Sequence, residues 1–145
     1  MAGFRQALRN SGAHPTGLAQ GQVWRIDNQA VRLDIDMHRS RQPTAKQRWV
    51  VIVDSNDRCR DTTLLTALIV PLTASVDLKY PTSLPLSASK APFLQRDSVA
   101  LTHLVQPVAR RYLSGDRYMG QLDDDDIADL LTMLARTLGI IEQPQ

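Results

Sequence analysis

The sequence predicts an α+β fold that is mainly β: a small, strongly bent antiparallel barrel with one long C-terminal helix packed on it. Three observations carry this. Five to seven short apolar or alternating segments are separated by turn residues, and they do not alternate with helices. That pattern argues against a parallel nucleotide-binding sheet. Two β-branched runs, Trp49–Val53 and Leu64–Leu72, flank the polar stretch Asp54–Thr63 and read as one long β-hairpin. The C-terminal part carries the one sustained helical period in the chain.

Taken in order, residues 1–20 read as an extension without a core face, broken by Ser11, Gly12, Pro15 and Gly17, and are expected to be disordered or loosely packed. Gly21–Ile26 reads as the first strand, with Val23 and Arg25 on one face and Trp24 and Ile26 on the other. After the turn signal Asp27-Asn28, Val31–Asp36 alternates apolar and polar, which predicts a second strand hairpinned to the first. Met37–Gln47 is a polar loop with Arg39, Arg41 and Lys46 in it and His38 beside them. It reads either as a solvated loop or as a flap that touches substrate phosphates.

The central hairpin follows. A roughly symmetric loop pairs each residue i with residue 121 − i, which sets Arg48 opposite Thr73 at its open end. Directly paired residues share a face, so a fixed cation and a hydroxyl meet there and together suit a phosphate. A slip of one residue would separate them onto opposite faces. By themselves the two residues read better as a strand-end arginine in a surface salt bridge and a threonine chosen for its β propensity.

Further on, Pro81–Leu86 reads as an edge strand, where proline is tolerated. Lys90–Arg96 reads as a loop, Asp97–Val105 as a mostly apolar central strand, and Val108–Leu113 as a short strand before the turn Ser114-Gly-Asp. Asp123 is a good helix N-cap, and the acidic run behind it complements the helix dipole. Ile127, Leu130, Leu131, Leu134 and Leu138 recur at helical spacing, and Gly139 ends the helix. The Asp123–Asp126 run is therefore read as capping and solvated charge, not as a metal site.

At 145 residues the chain predicts a single domain with a real core. Its aromatic content of 5% excludes a platform that stacks many bases. No run approaches 18 apolar residues, and the basic N-terminus lacks a signal peptide's apolar centre, so the expectation is a cytoplasmic protein without membrane contact. The single Cys59 excludes an internal disulfide and a cysteine-built zinc site. Arg58 and Arg60 beside it would favour the thiolate, although an unremarkable loop thiol is the expectation. Residues 1–60 hold ten Lys+Arg against five Asp, and residues 61–145 hold seven against ten acids. Fourteen of the 17 cations are Arg, which suits bidentate phosphate recognition and equally reflects genome base composition.

Five stretches in order resemble the MazF/PemK family of toxin ribonucleases. They are Gly21-x-Val-Trp24, Arg48 before a Val-rich strand, Val70-Pro-Leu-Thr-Ala-Ser75, Arg96-Asp-Ser-Val-Ala-Leu101, and Leu122-Asp-Asp124 before a helix that ends Leu138-Gly-Ile140. The likeness spans residues 21–141, with 1–20 as an extra segment. It implies an SH3-like barrel (CcdB/PemK-like), a homodimer, and a cognate antitoxin protein that blocks the site. It also implies metal-independent, sequence-selective cleavage of single-stranded RNA, with no cofactor, by attack of the ribose 2′-OH on the adjacent phosphate.

By the same resemblance Arg48 and Thr73 match the catalytic arginine and threonine, with Arg39, Arg41, Lys46 and Ser75 as RNA-binding candidates. The chain departs from the family's pattern at Trp49, where Pro is usual, and in the loop 40–47, which has no acid. It departs again at His103 and Leu104, where an acid and Gln are common. His103 is thus a candidate for the proton-transfer role, since imidazole titrates near neutral pH. The runner-up reading is a non-catalytic member of the same fold that binds RNA or a protein target such as gyrase.

Overall fold

The computed structural model describes residues 17–33, 47–74 and 83–142. Among these, seven strands form one antiparallel sheet: β1 (Gln22–Asp27), β2 (Gln47–Ile52), β3 (Thr66–Thr73), β4 (Leu84–Leu86), β5 (Ser98–Ala100), β6 (Gln106–Ala109) and β7 (Tyr118–Gln121). The strand order is β4-β5-β3-β2-β1-β7. β6 also pairs with β3, alongside its N-terminal half, while β5 takes the C-terminal half. Two helices complete the fold, the one-turn α1 (Asn56–Arg60) and the long α2 (Asp124–Thr137).

The sheet is buried on both faces, which explains why its strands read as near-continuous apolar runs. Successive side chains leave opposite faces. Val23, Val51, Val53, Val70 and Leu72 enter one core, with Leu122, Leu130 and the apolar stripe of α2 packed on it. Trp24, Ile26, Val50, Ile52, Ala67 and Ile69 enter the other, which is closed by Val31, Cys59, Val108 and Leu113. Trp24 adds an edge-on contact with Tyr118, ring centres 5.4 Å apart.

The hairpin register is as the symmetric loop predicts: Trp49 pairs with Leu72, Val50 with Pro71, Val51 with Val70 and Ile52 with Ile69. The loop itself is more ordered than a plain turn. Ser55 caps α1 by accepting from the Arg58 N–H at 3.2 Å. Asp54 is buried and accepts from Arg58 Nε at 2.7 Å and from the Leu68 N–H at 3.1 Å. Arg110 reaches back to donate to the carbonyls of Arg58, Cys59 and Thr66. Cys59 is buried, and burial followed by the Asp54 charge pushes its thiol up despite Arg110, Arg58 and Arg60. Desolvation thus outweighs the flanking arginines, in line with an unreactive thiol.

Several expectations change. Val31–Leu33 carry no strand, and both neighbours of β1 are taken, by β2 and β7. The hairpin expected between Gly21–Ile26 and Val31–Asp36 is thus replaced by long-range pairing; Asp34–Asp36 lie outside the described residues. The strand expected over Asp97–Val105 stops at Ala100, where the chain enters a 3-10 turn, Thr102–Leu104. β7 lies in a stretch to which the sequence assigns no element, because its Tyr-Met-Gly-Gln sequence shows no period. Of the N-terminal extension, residues 17–20 are docked onto the barrel. Gln22 Nε2 donates to the Gly17 carbonyl at 2.9 Å, Gln20 Nε2 to Val53 at 3.1 Å and Gln121 Nε2 to Gln20 at 2.9 Å. These amide contacts leave no apolar period in the sequence to betray them.

The C-terminal helix starts and stops where its caps predict. Asp123 accepts from the Asp126 N–H at 2.8 Å, and Gly139 takes φ +75° just past the end. Lys90 lies 3.1 Å from Asp126 and 3.4 Å from Asp123, tying the start of α2 to the loop before β5. No group of three or more metal-ligating side chains occurs among the described residues. No helix among them is long and apolar enough to cross a membrane.

Candidate active site

The ends of β2 and β3 define the site. Their last ladder pair is Trp49 with Leu72, and one further step of the same register sets Arg48 across from Thr73. Both residues are half-buried. The Arg48 guanidinium is partly held by the chain after β1, with Nη1 donating to the Val31 carbonyl at 3.4 Å. A cleft of about 410 Å³ opens at this end of the sheet, and Arg48 and Thr73 both line it.

Two neighbouring elements complete the walls. Thr73 pairs with Val99 of β5, so the residues just before β5 are brought to the same end. Leu94, Gln95, Arg96 and Ser98 therefore line the cleft. Gln95 closes the 3-10 turn Pro92–Leu94 in a left-handed conformation, φ +68°, and its N–H donates to Pro92 at 3.0 Å. Such strain in a non-glycine residue persists only where the surroundings enforce it. Trp49 and Leu72 supply an apolar wall, and Gln47 and Asn28 add amides.

The described lining holds two cations, Arg48 and Arg96, and no acid. A half-enclosed site with one sign of charge attracts anions. A guanidinium carries donors and no acceptor, so Arg48 can stabilise negative charge but not abstract a proton. The Thr73 hydroxyl can donate to an anionic oxygen. Together they give the cleft a fixed positive charge and a hydrogen-bond donor.

His103 is not brought to this cleft. The early end of β5 is the cause: the Leu101 N–H donates to the Pro71 carbonyl at 2.9 Å, and the turn Thr102–Leu104 then carries His103 to where the turn packs against β3 and α2. Arg39, Arg41, Lys46 and Ser75 lie outside the described residues. Sequence reasoning missed Arg96, Gln95 and Trp49 as site residues. Arg96 and Gln95 depend on the β3–β5 pairing, which is non-local and leaves no period. Trp49 was visible only as a departure from a familiar pattern.

Solved structures share this fold. An endoribonuclease from a mycobacterial species aligns over 84% of this chain and 91% of its own, with 20% identity and a TM-score of 0.60. An endoribonuclease in complex with its cognate antitoxin, also mycobacterial, aligns over 90% of this chain and all of its own, with 20% identity and a TM-score of 0.60. A MazE–MazF structure from Deinococcus radiodurans aligns over 86% and 98%, with 15% identity and a TM-score of 0.58. A comparison with curated protein sequences found no match. The model of the PemK-like, MazF-like toxins of type II toxin–antitoxin systems matches residues 19–138, so the chain belongs to that family.

Proposed function

We propose that this protein is a toxin endoribonuclease that cuts single-stranded RNA at the cleft between the ends of β2 and β3. One observation carries the reading: the hairpin register brings Arg48 and Thr73 together in a cleft whose described lining has two cations and no acid. In this reading the scissile phosphate sits between the two side chains. The 2′-oxygen attacks phosphorus, the 5′-oxygen leaves, and the products are a cyclic phosphate and a free 5′-hydroxyl. Arg48 stabilises the charge that builds on the pentavalent phosphorus, a fixed electrostatic contribution. Thr73 holds a non-bridging oxygen. Arg96 neutralises a neighbouring phosphate, and Arg39, Arg41, Lys46 and Ser75 supply further contacts along the strand. The chemistry needs no metal, because guanidinium charge does the work of a Lewis acid.

The family and the antitoxin-bound neighbour support a cognate antitoxin as partner. In this reading the antitoxin covers the cleft, and a homodimer in the cytoplasm is the working form.

A second reading has its own support. Among the described residues no side chain that titrates near neutrality lines the cleft, and His103 lies elsewhere. A member of this family that binds RNA or a protein target without cutting fits that observation. Incubation in EDTA with a long mixed-sequence RNA separates the two readings. The nuclease gives discrete cuts that fall by roughly 100-fold or more in Arg48→Ala, as for loss of a transition-state donor, and fall likewise in Thr73→Ala. Salt-sensitive RNA binding without cuts supports the binder. Cuts that persist in both variants sink the assigned site.

A further inference from the structure

We infer that Trp49 is a base platform: it stacks one base of the bound strand beside the phosphate held at Arg48 and Thr73, and so sets base preference there. This rests on the reading of the cleft as an RNA site and assigns its second half.

The pleat divides the cleft. Arg48 and Thr73 belong to the face of β2 and β3 that carries Val50 and Ile52, while Trp49 and Leu72 belong to the face that carries Val51 and Val70. The cleft is lined by both pairs, so it spans the strand ends from one face to the other. One side offers charge and a hydroxyl. The other offers the Trp49 indole and Leu72, and Leu94, Gln47 and Gln95 belong to the same lining. A nucleotide has the same division, with phosphate and base leaving one ribose in different directions. Amide side chains present both donors and acceptors, the chemistry that reads a base edge.

The contrast with Trp24 is informative. Trp24 is 1% exposed, and its indole N–H donates to Gln22 Oε1 at 3.1 Å, as a core tryptophan requires. Trp49 is only partly buried against the first core and keeps a side on the cleft. A large aromatic left partly open beside two arginines suits an aromatic, anionic ligand, and single-stranded RNA is recognised by such stacking.

The test compares two uncleavable probes of equal charge: a deoxyadenosine hexamer and an abasic deoxyribose-phosphate hexamer. Binding is followed by tryptophan fluorescence for wild type and by anisotropy for every protein. Wild type is expected to bind the adenosine hexamer roughly ten-fold or more tightly than the abasic one, the scale of one stacked base. In Trp49→Leu the ratio falls towards one; in Trp49→Phe most of it remains. Arg48→Ala weakens both probes and leaves the ratio unchanged. Quenching on binding arises from Trp49, with buried Trp24 as the constant background. A ratio in Trp49→Leu equal to that of wild type, in a protein with unchanged circular dichroism, overturns the proposal. So does a wild type that does not distinguish the probes. Neither outcome depends on cleavage: failure of the nuclease reading would instead be seen as RNA binding without cuts, or as equal cutting by wild type and Arg48→Ala.

Discussion

A single methyl group added on β7 is expected to disturb the cleft through the residues that precede β5. Gly120 has no backbone reason to be glycine, since its φ is not in the left-handed region. Its reason is space. A Cβ there would lie 2.5 Å from Cδ1 and Cγ of Phe93 and 2.8 Å from Cδ2. Carbon–carbon contacts settle at about 3.5–4.0 Å, so the ring must retreat by roughly 1 Å. Phe93 is half-buried against the first core, so a retreat of its ring disturbs that packing. Overpacking of this kind costs about 1–3 kcal/mol. For a chain of this size that lowers Tm by roughly 2–12 °C. Phe93 immediately precedes Leu94, Gln95 and Arg96, so the push also displaces a cleft wall. Wild type, Gly120→Ala, Phe93→Leu and the double variant would be melted and titrated with oligonucleotide. The smaller leucine should absorb the methyl group, so the double variant should recover at least 0.5 kcal/mol relative to the sum of the singles, on the scale of coupling between touching residues. Simple additivity, or a Gly120→Ala protein as stable as wild type, would refute the reasoning.

Other consequences can be measured directly. Asp54→Ala leaves the Leu68 N–H and the Arg58 guanidinium without their buried acceptor, and should cost about 2 kcal/mol in chemical denaturation. Asp123→Ala removes the cap of α2 and should cost about 1 kcal/mol, with Lys90 still held by Asp126. The Cys59 thiol is raised in the folded chain, so the unfolded chain loses its proton first as pH rises. Its contribution is therefore complete below the unfolded thiol's range and is lost as pH climbs through the folded value. Cys59→Ala should show a shallower alkaline fall in stability, and wild-type thiol should resist iodoacetamide until the protein unfolds. His103→Ala should cleave RNA with an unchanged rate and pH profile, as its place beside α2 requires; a shifted profile would return it to the chemistry.

What was legible in the sequence was what depends on neighbours along the chain. Alternation in β1 assigned side chains to faces correctly, Val23 against Trp24 and Ile26, and the β-branched runs marked β2 and β3. Asp123 and Gly139 bounded α2 because caps are local hydrogen-bond chemistry. The hairpin register held despite the helical turn in its loop. The loop is anchored symmetrically: the Val53 N–H donates to Leu68 at 3.0 Å, which continues the same pairing rule, and Asp54 then closes the end. The segments that failed depend on distant partners. Val31–Leu33 alternate well, yet β1 is occupied on both sides by chain from residues 47–52 and 118–121. His103 continues an apolar pattern, yet the pairing of Leu101 with Pro71 turns it away.

The same distinction explains why half of the site was readable and half was not. Arg48 and Thr73 sit on one hairpin, so a sum of residue numbers brings them together. Arg96 arrives through the pairing of Thr73 with Val99, and nothing near Arg96 in the sequence records that. Trp49 was in view throughout, one position from Arg48, but one position along a strand is the other face. A pattern that looks for catalytic groups follows the Arg48 face and treats its neighbour as filling. The cleft at the hairpin's open end is lined from both sides of that separation: beyond Trp49 and Leu72 the two strands no longer pair with each other, Arg48 pairing with Ile26 of β1 and Thr73 with Val99 of β5. Residues from both faces can therefore meet one ligand there, and a ligand with a charged part and a flat apolar part fits the two kinds of wall that the pleat delivers.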